Sequence, residues 1–95
     1  MAKYVSLLNW TEKGVKEYRE TVDRADAAKK VAADMGGSLE ILWTLGSYDV
    51  IAISEFPDDE TATAFLLKVG SLGNVRSTTM RAFDAKEVER IIGKT

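Results

Sequence analysis

An α+β fold is predicted, with strands and helices in the order β-α-β-β-α-β and one further helix, on three observations. Two runs of helical apolar spacing, Ala25-Ala28-Ala32-Met35 and Ala62-Phe65-Leu66-Val69, each stand between segments rich in β-formers. Glycine follows each run, at Gly36-Gly37 and at Gly70, where a helix stops without a Cβ penalty. Only Gly46-Ser47 separates the two middle β runs, which makes them neighbours in a hairpin.

The first strand is expected over residues 3–10, Lys-Tyr-Val-Ser-Leu-Leu-Asn-Trp. Alternation gives it one face of Val5 and Leu7 and another of Tyr4, Ser6, Leu8 and Trp10. Residues 11–21 are irregular: Thr11 can cap a short turn, and Gly14 weakens a helix there. Helix one is expected from about Thr21 to Met35. Residues 39–45 alternate Leu39, Ile41, Trp43 and Leu45 against Glu40, Leu42 and Thr44, the pattern of strand two. Glycine at the first central position suits a type II′ turn, so Gly46-Ser47 is expected to lead directly into strand three, Tyr48 to Phe56. Beyond Pro57, the acids Asp58-Asp59-Glu60 can cap free N–H groups at the start of helix two, and Lys68 suits its last turn. Asn74 to Phe83 reads as strand four. Asp84 and Glu87 stand at the spacing of a capping box ahead of Val88, Ile91 and Ile92, so a short third helix is expected before Gly93.

This order is the split β-α-β of ferredoxin-like domains. Right-handed crossovers return both main helices to one face of the sheet, so the other face is left bare. The alternation assigns to that bare face Leu8, Trp10, Leu42, Val50 and Ala52, with Ser6, Glu40, Thr44, Tyr48 and Ser54 among them. Each such apolar side chain is worth about 1.5–3 kcal/mol when buried, so a second copy packed sheet to sheet is the expected cover.

Composition narrows the function classes. Ninety-five residues support one core and one domain, 1–95, and 45% hydrophobic with 29% charged residues is ordinary globular composition. There is no cysteine and no histidine, so thiolate metal sites, disulfides and the most common general base are excluded, and no cofactor is expected. A net charge of −2 and a pI near 5.1 argue against a nucleic-acid partner. The N-terminal residues run straight into strand-like sequence and no long apolar stretch occurs, so no membrane partner and a cytoplasmic location are expected.

Several separated blocks resemble one family: Tyr4-Val5-Ser6-Leu7-Leu8-Asn9-Trp10-Thr11, Trp43-Thr44-Leu45-Gly46, Tyr48-Asp49, Pro57-Asp58-Asp59-Glu60 and Gly70-Ser71-Leu72-Gly73-Asn74-Val75-Arg76. In order and spacing these are similar to the GYD-domain family of small bacterial and archaeal proteins, although Ser47 stands between the Gly and the Tyr-Asp. The resemblance implies a ferredoxin-like fold of the dimeric α/β-barrel type. It carries over no catalytic residue, because the family has no agreed chemistry.

Among the motifs, Tyr48 and Asp49 are the first candidate ligand-binding pair, with Arg76 and Trp10 as neighbours. Asp49 stands where a strand prefers a β-former; either it serves a ligand or it closes the strand on a nearby cation. Glu40, Glu55, Arg76 and Arg81 lie on strands, as structural ion pairs or as a paired cluster able to hold a carboxylated or polar ligand. Trp10 and Trp43 suit a core or dimer contact, or an aromatic wall. Helix capping accounts for Asp58-Asp59-Glu60 without a metal, and Gly70-Ser71-Leu72-Gly73-Asn74 lacks the strand and helix of a phosphate loop. The leading expectation is therefore a homodimeric, or higher homo-oligomeric, small-molecule-binding or accessory module. The alternative is a cofactor-independent enzyme of the dimeric α/β-barrel type, an oxygenase, isomerase or decarboxylase, by fold analogy alone.

Overall fold

The computed structural model describes residues 1–95. Four strands, β1 (Ala2–Trp10), β2 (Ser38–Trp43), β3 (Val50–Phe56) and β4 (Val75–Ala82), form one sheet in the order β2-β3-β1-β4. Every neighbouring pair is antiparallel. The irregular stretch after β1 folds as a short helix α1 (Glu12–Lys16) and a 3-10 turn (Tyr18–Glu20) leading into α2 (Thr21–Asp34). Helix α3 (Asp59–Ser71) precedes β4, and α4 (Ala85–Ile92) closes the chain. The expected ferredoxin-like α+β arrangement is therefore present.

Local chemistry sets the helix ends. Asp58 accepts the Thr61 amide at 2.7 Å, which starts α3. At the end of α2, the Gly37 amide donates to Ala32 and the Gly36 amide to Ala33, with Gly36 at φ +79°, the left-handed stop that its sequence promises. For α4, Asp84 accepts the Glu87 amide at 2.8 Å and Glu87 accepts the Asp84 amide at 3.1 Å, completing the capping box.

The core lies between one face of the sheet and helices α2 and α3, centred on Tyr4, Phe56, Ala32, Ala62 and Phe65. The Phe56 ring sits 5.0 Å from that of Phe65 and 6.3 Å from that of Tyr4. Cross-strand register then fixes the rest of this face: Tyr4 opposes Ser54, Ser6 opposes Ala52 and Leu8 opposes Val50.

This corrects the sequence-based assignment of the faces. Ser6, Leu8, Val50, Ala52 and Ser54 belong to the helix-covered side, with Ser6, Val50, Ala52 and Ser54 buried; of the residues assigned to the bare face, Leu42 and Glu40 belong there. The bare face carries Val5, Leu7, Ile51, Ile53, Leu42 and Met80. The cause is the aromatic core: Tyr4 and Phe56 pack with Ala32, Ala62 and Phe65 beneath the helices, and the register carries Ser6, Ala52 and Ser54 to the same side.

The hairpin also departs from expectation. Strand β2 ends at Trp43 and β3 begins at Val50, so 44–49 form a loop rather than a two-residue turn. Thr44 donates its amide to the Asp49 carbonyl and its hydroxyl to the Tyr48 carbonyl, which closes the loop.

Candidate functional site

Asp49 leaves the β2–β3 ladder because its carboxylate has another use. Its Oδ2 accepts the Trp10 amide at 2.9 Å, while its own amide donates to the Leu8 carbonyl. The end of β1 is thus tied to the loop that precedes β3. On the other side of β1, Asn9 pairs with Arg76 and Trp10 with Val75. All four sequence candidates, Trp10, Tyr48, Asp49 and Arg76, therefore gather at one end of the sheet. Trp10, Tyr48 and Asp49 are half-buried and Arg76 is exposed. Strand alternation puts Arg76 and Asn9 on the bare face, at the border of the apolar patch, and Trp10 on the helix side.

An open groove of about 480 Å³ adjoins this end, lined by Thr11, Glu12, Lys13, Gly70, Gly73, Val75 and Arg76. Sequence builds it from α1 outward. Thr11 caps α1 by accepting the Gly14 amide at 3.1 Å, and donates its hydroxyl to the Gly73 carbonyl at 2.5 Å. Lys13 donates to the Leu72 carbonyl at 2.9 Å. Gly14 is required, since a Cβ there would collide with the carbonyl oxygen of Asn74. The residue that weakened a helix on paper is the one that lets α1 rest on the loop before β4. The groove presents two cations, Lys13 and Arg76, beside one acid, Glu12, and can take a small anion or carboxylate.

A second polar cluster escaped the sequence reading. The Tyr4 hydroxyl donates to Asp59 Oδ1 at 2.5 Å, and Arg81 lies with its guanidinium carbon 5.6 Å from the Tyr4 ring centre and 4.6 Å from that of Phe83. Arg81 also approaches Asp59 at 3.8 Å and Glu87 at 3.7 Å. Burial, then the bond to Asp59, pushes the Tyr4 phenol up to about 12 from 10.0. Asp58 does the capping while Asp59 serves Tyr4, so the acid run has two duties. Sequence spacing carries no signal for this, because the partners come from β1, α3, β4 and α4. Of the other strand charges, Glu40 and Glu55 fall on the bare face, Glu55 opposite Lys3. Trp43 donates its indole N–H to Thr21 at 3.0 Å, binding β2 to the start of α2.

The fold is that of a small ferredoxin-like α+β protein, with Trp10, Tyr48, Asp49 and Arg76 gathered at one end of the sheet. The chain belongs to the GYD-domain family, whose model matches residues 4–92. It is similar in fold to the crystal structure of TTHA0845 from Thermus thermophilus, with 23% identity and a TM-score of 0.59, over 90% of this chain and 96% of that one. No curated protein sequence matches the chain significantly. No helix is long and apolar enough to cross a membrane.

Proposed function

We propose that the chain is a homodimeric accessory or small-molecule-binding module that pairs through its bare sheet face and holds a small carboxylated ligand at the Arg76 end. The observation that carries this is the apolar patch. Val5, Leu7 and Ile51 are half-buried, and Leu42, Ile53 and Met80 are exposed at 51%, 39% and 45%, all on one face of a twisted sheet. A contiguous patch of this kind marks an interaction surface. Its polar border, Glu40, Lys3, Glu55, Asn9 and Arg76, matches the rim of an interface around an apolar centre. The groove beside Arg76 and Lys13 supports a ligand with a carboxylate, since both side chains are cationic donors.

Light scattering across micromolar concentrations tests the pairing. A dimer is expected, and Ile53→Glu is expected to give a folded monomer. A monomeric parent protein would end this reading. For the ligand, thermal shift against a panel of small carboxylic acids is expected to yield a hit that Arg76→Gln loses, by mass-action stabilisation of the folded state. An Arg76→Gln protein with the same response would remove Arg76 from the site.

A further inference from the structure

Arg81 and Tyr4 face each other across β4 and β1, on the helix-covered side of the sheet. From there the Arg81 guanidinium approaches Asp59, the first residue of α3, at 3.8 Å and Glu87, in the first turn of α4, at 3.7 Å. Helices α3 and α4 therefore leave from one point. The Glu87 side chain is 16% exposed, yet Val88, Ile91 and Ile92 beyond it are 41%, 39% and 60% exposed. At 3.6 residues per turn, Ile91 stands within about 40° of Glu87 around the helix and about 6 Å further along it. The apolar stripe thus opens on the side by which Arg81 holds α4, while Lys86, Glu89 and Arg90 lie away from it. Along α3, Asp59, Glu60, Thr63, Ala64 and Leu67 line a shallow groove of about 340 Å³ that begins at the same Asp59, and Leu67 is 71% exposed in it. With α4 standing off, the molecule measures 48 × 30 × 17 Å and has a radius of gyration of 14.3 Å. A compact domain of this length would have a radius of about 12 Å.

We propose that α4 is a strap with two positions: an open one, with its stripe in water, and a closed one, in which it turns about its Arg81 anchor and lays Ile91 and Ile92 along the α3 groove of its own chain. Register decides the occupant. Both helices start at Arg81 and each rises about 1.5 Å per residue, so in the closed position one turn brings Ile91 level with Thr63 and Ile92 level with Ala64, with Leu67 next along the groove. The small side chains of Thr63 and Ala64 admit a second helix at the usual spacing of about 8–10 Å. Closure takes Leu67 and the stripe out of water together, and this apolar burial drives it. Phe83 and Asp84, the only residues between β4 and α4, form the hinge. A closed strap also covers the exposed Asp59 carboxylate that receives the Tyr4 hydroxyl, so access to that polar cluster opens and closes with α4. The strap acts within one chain and does not depend on pairing through the bare sheet face.

The chain contains no cysteine, so Ile92→Cys carries the sole thiol. Its rate of reaction with a disulfide reagent is measured alone and combined in turn with Leu67→Glu, Leu67→Lys and Ile53→Glu. Both Leu67 variants unseat the strap, and the thiol is expected to react about tenfold faster in each of them than in Ile92→Cys alone, with Ile53→Glu leaving the rate unchanged. A rise in one Leu67 variant and a fall in the other is a field effect of the new charge on the thiol and overturns the proposal. Equal fast reaction in all four proteins means that α4 stays open, and equal slow reaction means that it is covered elsewhere; either result overturns the proposal. Acceleration by Ile53→Glu means that a second copy covers the stripe and overturns it too. Should the Leu67 variants not fold, Ala64→Cys combined with Ile92→Cys supplies the contrast: mild oxidation is expected to give a disulfide within one chain, whereas linked dimers or free thiols sink the strap.

Discussion

Asp49 and Tyr4 show how one polar bond can stand in for sequence pattern. The Asp49 carboxylate receives the Trp10 amide, so Asp49→Ala leaves a half-buried N–H without its acceptor and is expected to lower stability by about 1–3 kcal/mol in urea unfolding. Asp49→Asn keeps a carbonyl oxygen in place and is expected to lower it by about 1 kcal/mol or less. If Asp49 also serves the ligand, Asp49→Asn will blunt the thermal-shift response while the dimer persists; an unaltered response assigns Asp49 to the strand end alone. Tyr4 makes a pH-dependent forecast. Its folded-state value of about 12 exceeds the ordinary 10.0, so its contribution is complete below pH 10 and is lost as pH climbs toward about 12. The tyrosinate absorbance of Tyr4 should appear only with alkaline unfolding, and Tyr4→Phe should remove that late step.

Elements were read from sequence far better than their faces. The helical spacing of Ala25-Ala28-Ala32 and Ala62-Phe65, and the acids ahead of α3 and α4, are local signals, and local bonds obey them. Strand β1 offered no such guide, because Val5-Leu7 and Tyr4-Leu8-Trp10 are both apolar. What settles its orientation is the core of Tyr4, Phe56 and Phe65 with Ala32 and Ala62, a property of two layers rather than of either strand. The gathering of Trp10, Tyr48, Asp49 and Arg76 at one sheet end was legible as a guess about neighbours, while the Arg81 cluster, drawn from four elements, was not. Helix α1 provides an element-scale test. Gly14→Ala drives a methyl into the Asn74 carbonyl and is expected to destabilise by about 1–3 kcal/mol, with Thr11 and Lys13 released from the loop in the same variant. At the start of α3, hydrogen bonds from Thr61 hold the Asp58 carboxyl below its ordinary 3.8. The charged cap is therefore present above that value and is lost as pH falls through the lowered one, so Asp58→Asn should flatten the acid limb of the stability profile.

For the whole molecule, the two faces of β3 forecast opposite outcomes for the same chemical change. Val50 is 7% exposed beneath the helices, so Val50→Asp buries an unpaired charge, lowers stability by about 3–5 kcal/mol and unfolds much of the protein. Ile53 faces outward, so Ile53→Glu should retain its circular dichroism and lose only its partner. Loss of fold in both variants would mean that pairing and folding are one event. The strand order β2-β3-β1-β4 has a further consequence, in time rather than in energy. The strand made first lies at the centre of the sheet, and its two neighbours are made third and last. During synthesis at about 5–20 residues per second, the segment around Tyr4 and Leu7 waits several seconds for Val50–Phe56 and longer for Val75–Ala82. Its two apolar sides stay available throughout that interval to whatever meets a nascent chain. A chain halted before β4 would carry an open edge along β1, the template on which unfinished copies join one another.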